Sequence, residues 1–299
     1  MKNGTHILTL PNGYHLWSHT ENAGQSDKMI AVHGGPGDTH ESFESFPAEI
    51  PGAEITYYDQ LGSWYSDQPD FSDPKVAERT LKIDYFVDEL EQVRRQLGYE
   101  QFTLLGYSWG GMIALEYALK YPEHLTKLII VGMADRDADF TDRMKEEVGK
   151  VLTKDEAEYV FLEAKKGEFD DALFNQFMGK FYRDYYTRFS QSQTKHAVDT
   201  TNYQLTDLMM GRNPFQTSGV MAGWTVEKRV SEIHTPTLIL IGDQDMIPIK
   251  SAQTMVEQLP HGKLAIIPDA THVSIRDNPE FFFEQVNNFL TESDTNIQN

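Results

Sequence analysis

The chain has 299 residues, carries 26 Lys and Arg against 46 Asp and Glu for a formal charge of −20, and contains no cysteine. That length supports one large domain or two modest ones, with volume enough for a real core. The acidity excludes a polyanion such as nucleic acid as a partner, and the missing thiols exclude disulfides, thiolate metal sites and a cysteine nucleophile.

No stretch reaches the ~18 apolar residues of a membrane span, so no membrane partner is expected. The opening residues hold no unbroken apolar run of the signal-peptide kind, and a cytoplasmic location is the expectation.

HILTL (6–10) and YHLWSH (14–19) flank Pro11-Asn12-Gly13 and predict a hairpin. KMIAVH (28–33) and EITYYD (54–59) read as short buried strands, each followed by a loop rich in small residues. From Val76 to Leu97 apolar residues recur at helical spacing, and Gly98 stands where a terminating glycine belongs. QFTLLGYS (101–108), WGGMIALEYALKYP (109–122) and LTKLIIVG (125–132) then read as strand, helix and strand. Such alternation predicts a mostly parallel sheet with helices on both faces.

The alternation stops at Asp135 and resumes after Ser231 with TPTLILIGDQD (235–245), a helix near 249–259, KLAIIPD (263–269) and a helix near 279–291. The intervening segment is charged, aromatic and helical in pattern. The expected division is an α/β core from 1–134 and 232–299, with an inserted helical cap at 135–231.

Gly106-Tyr107-Ser108-Trp109-Gly110 is G-x-S-x-G, entered by an apolar strand and left by a helix. That context is the nucleophile elbow, which exposes a serine hydroxyl at a helix N-terminus. A serine needs a base, and the base needs an orienting acid, in the chain order Ser, acid, His. After Ser108, the strand that resumes the sheet pattern past Ser231 ends in Asp243 and Asp245, and Asp245 lies beyond the turn. Only His261 and His272 come later. His261 precedes its strand, whereas His272 follows it at the edge where such sheets place their sites. The expected triad is Ser108, Asp245 and His272.

His33-Gly34-Gly35-Pro36-Gly37 follows an early strand, and glycines there let backbone amides approach a substrate oxygen. The expected oxyanion hole is the amide of Gly35 with that of Trp109, and Gly34 is the alternative donor beside the substrate. His33 is expected to fix the loop.

HGGPG (33–37), YDQLGSWYSDQPD (58–70), GYSWGG (106–111), GDQD (242–245) and THVS (271–274) together resemble α/β-hydrolases of the proline iminopeptidase family, peptidase family S33. The resemblance implies an α/β-hydrolase fold, the same three residues as triad, and no cofactor. It also implies release of N-terminal residues, often proline, from a small peptide or amide substrate. Similar family members often carry a glutamate in a Gly-x-Asn-Glu-Phe segment of the cap and another just after the catalytic aspartate. Here those stretches read Gly211-Arg212-Asn213-Pro214-Phe215 and Asp245-Met246.

Asp207, Glu227 and Glu41 are the candidates to replace them. Without such an acid the expectation shifts to an amidase or esterase acting on an uncharged small substrate. Met246, Phe215 and Trp224 would then line an apolar pocket, the alternative being ordinary core packing. FYRDYYTRF (181–189) would either join that lining or pack as an aromatic face within the cap.

Overall fold

In a computed structural model, which describes residues 2–185 and 191–292, the expected hairpin forms as β1 (Gly4–Thr9) and β2 (His15–Glu21), with Leu8 opposite Leu16. The remaining strands are β3 (Asp27–Val32), β4 (Ala53–Tyr58), β5 (Phe102–Tyr107), β6 (Leu125–Val131), β7 (Thr237–Gly242) and β8 (Gly262–Ile267). They make one sheet in the order β1-β2-β4-β3-β5-β6-β7-β8, antiparallel as far as β4 and parallel beyond it. β4, β5 and β7 are buried along their whole length, as strands covered on both faces must be. One apolar layer centres on Leu90, Ile113 and Ile239, and the other on Phe46, Leu240 and Phe282.

The helices of the first part are α1 (Phe46–Glu49), α2 (Pro74–Thr80), α3 (Ile83–Leu97) and α4 (Trp109–Lys120). The single helix expected over 76–97 is therefore two. Lys82 is extended at φ −149° and ψ 141°, and the Thr80 hydroxyl turns back onto the Val76 carbonyl at 2.8 Å. The break lets α3 aim Phe86, Leu90 and Val93 at the sheet, whereas α2 buries only Thr80. Gly98 ends α3 in the left-handed region, at φ 72°, its N–H bonded to the Arg94 and Arg95 carbonyls.

Between β6 and β7 lie α5 (Ala138–Val151), α6 (Lys154–Lys166), α7 (Ala172–Tyr185), α8 (Gln191–Thr200) and α9 (Tyr203–Met210). The chain leaves and re-enters the sheet region through one antiparallel bridge, Arg136 to Thr225. Helices α5, α6 and α7 share an apolar cluster that includes Met144, Val160 and Phe181, whereas Leu205 and Met209 of α9 pack into the core layer of Leu90 and Ile113. Glu116 of α4 ties the returning segment down, accepting from Trp224 Nε1 at 2.9 Å and from Arg229 Nη2 at 2.8 and 2.9 Å. The last helices are α10 (Ile249–Gln258), α11 (Ser274–Asp277) and α12 (Pro279–Thr291). Among the described residues no helix is long and apolar enough to cross a membrane.

Candidate active site

Ser108 stands between β5 and α4 at φ 54° and ψ −117°, a conformation that costs strain in a residue with a Cβ. Its surroundings leave no room for larger neighbours. A Cβ at Gly106 would lie 2.2 Å from the Gly110 carbonyl oxygen, and one at Gly110 would lie 2.1 Å from that of Val32. The Ser108 amide is held by the Val131 carbonyl at 2.8 Å, which fixes the elbow against β6.

His272 Nε2 is 3.0 Å from Ser108 Oγ, and His272 Nδ1 is 2.8 Å from Asp245 Oδ1. The same carboxylate oxygen accepts from the Ile247 amide at 2.9 Å, so the chain after β7 is folded around it. His261 precedes β8 at the opposite end of that strand, and its carbonyl accepts from Thr237. Asp243, the other acid of GDQD, holds the loop that carries His272 by accepting from the amides of Asp269 and Ala270, each at 3.0 Å. Asp277 accepts from the Thr271 amide at 2.7 Å, and the Tyr107 hydroxyl donates to the His272 carbonyl at 2.9 Å. Burial raises the Tyr107 phenol, so it stays a neutral donor. Gly132, at φ 60°, lets the imidazole lie close, since a Cβ there would be 3.0 Å from His272 Cε1.

Gly35 has φ 107°, and a Cβ on it would lie 2.6 Å from the amides of Gly37 and Asp38. Gly35 and Trp109 both line the cavity above Ser108. Gly34 sits behind them, where a Cβ would be 3.3 Å from that of Ser108, and is not part of the lining. The three early motifs are wired together by one buried network. His33 Nε2 accepts from the Gln60 amide at 3.1 Å while Nδ1 faces the Gly34 carbonyl at 2.8 Å. Gln60 Oε1 in turn accepts from Trp109 Nε1 at 2.9 Å. Those partners require the neutral tautomer with its proton on Nδ1, and burial lowers the pKa of His33 accordingly.

Residues 28–279 match the family model described as the alpha/beta hydrolase fold. A proline iminopeptidase of Elizabethkingia meningoseptica is 31% identical over 298 residues, spanning 96% of this chain and 98% of that protein. One from Flavobacterium johnsoniae is 30% identical over 293 residues, spanning 96% and 97%. The chain belongs to the proline iminopeptidase family of α/β-hydrolases. Among solved structures, VinJ superposes with a TM-score of 0.85 at 23% identity, covering 96% of this chain and 98% of that one. A proline iminopeptidase of Mycobacterium smegmatis superposes with 0.84 at 24% identity, covering 96% and 97%. These likenesses carry the fold. Membership in the family makes the protein a hydrolase.

Within this family member, Ser108 and His272 open onto a cavity of about 840 Å³ roofed by the inserted helices. Pro214, in place of the cap glutamate, lines it. Met246, in place of the second glutamate, does not. It is fully buried in the apolar cluster of the inserted helices, and its neighbour Ile247 lines the cavity instead. Phe215 is also outside the lining. Its amide bonds Asn213 Oδ1 at 2.9 Å, a turn that sends its ring against Phe161 at 4.9 Å. Trp224 is spent on Glu116, far along α4 from the elbow.

The expected apolar lining by Met246, Phe215 and Trp224 is thus replaced by other residues, among them Met112, Met133 and Phe140. The 181–189 segment lies partly outside the described residues; within it Phe181 packs in the cluster and Tyr182 lines the cavity.

Of the acids considered as amine partners, Glu41 and Asp207 line the cavity and Glu227 does not. Asp38 and Asp137 also line it, and sequence alone gave neither a signal. Another residue missed is Asn202. Its amide donates to the Gly37 carbonyl at 2.9 Å and its Nδ2 to that of Gly62 at 2.8 Å, which joins the inserted helices to two core loops.

Proposed function

We propose that the protein cleaves an amide or peptide bond through a covalent acyl-enzyme, releasing an N-terminal residue from a small peptide or amide. The observation that carries this is the unbroken chain of contacts from Ser108 Oγ to His272 Nε2 at 3.0 Å and from His272 Nδ1 to Asp245 at 2.8 Å. In this reading His272 takes the Ser108 proton as Oγ attacks the substrate carbonyl carbon. Asp245 holds the imidazolium and its tautomer. The amides of Gly35 and Trp109 receive the oxyanion, with the N-terminus of α4 behind them. The carbonyl–nitrogen bond then breaks, and His272 gives its proton to the leaving amine. Water, deprotonated by His272, releases the acyl group and restores Ser108.

A serine-directed fluorophosphonate should label the wild-type chain once, on Ser108, as read by peptide mass spectrometry. Ser108→Ala should remain folded, resist labelling and lose turnover of peptides and esters by several orders of magnitude. Turnover retained by that variant would end the proposal. A second reading, an amidase or esterase for uncharged substrates, is favoured by one observation. Neither position that usually supplies a glutamate offers an acid here, since one is Pro214 and the other is Met246, which is turned away.

A further inference from the structure

Four carboxylates line the cavity among the described residues, and three of them already have partners. Glu41 faces His196 Nδ1 at 2.7 Å through one oxygen and the Thr39 hydroxyl at 2.9 Å through the other. Asp207 lies 3.6 Å from Arg212 Nε. Asp137 accepts from the Gly223 amide at 3.2 Å and from the Thr217 side chain, stapling the neck of the insertion. Asp38 is different. Among the described residues its one side-chain hydrogen bond is a long one, 3.3 Å from Thr201 Oγ1 to Oδ1, and it takes part in no ion pair.

Asp38 is also the acid best placed relative to the chemistry. It follows the HGGPG loop directly, and its amide is one of the two groups that crowd the face of Gly35. Its charge acts on His272 and on Tyr107. Beyond it the chamber is walled by flexible apolar side chains, including Met133, Met144, Met178 and Met210, which adapt to a bulky group.

We propose that Asp38 is the anchor for a substrate's protonated amine, so that this cavity takes aminoacyl amides with a free amine and an apolar side chain. The inference rests on the acyl-transfer reading of Ser108 and supplies, from a core loop, the anion that positions 214 and 246 lack. Asp38 is half-buried, desolvation raises its pKa, and a carboxylate drawn out of water without a cation is costly. An ammonium group would offset that cost by donating a charge-assisted hydrogen bond to the carboxylate. Arg276 lines the cavity as well. It would repel the amine, so the amine is held on the Asp38 side of Ser108.

The test compares wild type, Asp38→Asn and Asp38→Glu on three classes of probe: leucine and proline para-nitroanilides, their N-acetylated counterparts, and para-nitrophenyl acetate. Wild type should prefer the free-amine anilides. Asp38→Asn should lose about 100-fold in kcat/KM on them, chiefly through KM, as expected for removing a desolvated charge partner. Its ester turnover should fall far less than its anilide turnover, and Asp38→Glu should recover part of the anilide loss.

Three results would overturn the proposal: no free-amine preference in wild type, an unaltered preference in Asp38→Asn, or an equal loss of anilide and ester turnover. The last would make Asp38 a support for the Gly35 loop. Failure of the acyl-transfer reading shows separately, as ester turnover that survives Ser108→Ala.

Discussion

Gly132 decides how closely His272 can lie to β6. Its φ of 60° is one that glycine adopts freely, and the imidazole occupies the space that a Cβ would need. Gly132→Ala should therefore displace His272 from Ser108, lowering kcat by about 10- to 100-fold with little change in KM. Equal kcat in a stopped assay would show that the loop relaxes freely.

Glu89 offers a test of stability at the same scale. Both its oxygens lie 3.3 Å from the Leu61 amide in a fully buried site, and burial pushes its pKa from 4.5 to about 8. The folded chain thus keeps a proton that the unfolded chain releases, so this group costs stability increasingly as pH rises from 4.5 through about 8. Glu89→Gln should match wild type in Tm near about pH 5 and exceed it by roughly 5 °C near about pH 9. A pH-independent difference would place the carboxyl's proton elsewhere. The residues of the proposed triad were legible because each sits in a spaced motif with a fixed chain order. Asp38 and the loop-holding role of Asp243 were not, because a loop acid has no period, and its meaning lies in which amides or cavities it meets.

Among elements, Asn202 is one polar tie between the inserted helices and the core, beside the Glu116 contacts and the packing of Leu205 and Met209. It caps α9 through Leu205 at 3.1 Å, reaches Gly62 with its side chain, and meets Gly37, where a Cβ would lie 2.6 Å from its carbonyl oxygen. Thr206 adds a bond to the Pro36 carbonyl at 2.6 Å. Asn202→Ala removes the cap and the tie to Gly62 together, and should cost about 1–2 kcal/mol in denaturant unfolding. It should also raise KM several-fold, because the roof and the Gly35 loop would no longer be registered. An unchanged KM would show that the remaining contacts suffice.

The strands of the core were readable from apolar runs bounded by glycine, and α4 from its place after the elbow. The break at Lys82 was not, because Leu81 and Ile83 continue the apolar pattern while the backbone between them turns extended. The pocket wall was misread for a related reason. Met246 and Phe215 are apolar and adjacent to motif positions, but the Asp245 and Asn213 side chains each cap an amide two residues on and rotate them into the cluster behind the wall.

On the scale of the whole molecule, 46 acidic against 26 basic residues surround a site proposed to take a cation. A net charge of −20 raises the local concentration of ammonium-bearing substrates near the surface and leaves neutral esters unaffected. Screening separates the two cases. As salt rises from about 0.01 M to about 1 M, the Debye length contracts from about 30 Å to about 3 Å. The kcat/KM for a free-amine anilide should then fall several-fold, while that for para-nitrophenyl acetate stays level. The Asp38→Asn variant should keep most of this salt dependence, because long-range attraction belongs to the surface and the short-range contact to Asp38. If salt acts equally on both substrates, the acidic surface serves solubility alone. If the dependence vanishes with Asp38, a single charge at the cavity floor accounts for all of it.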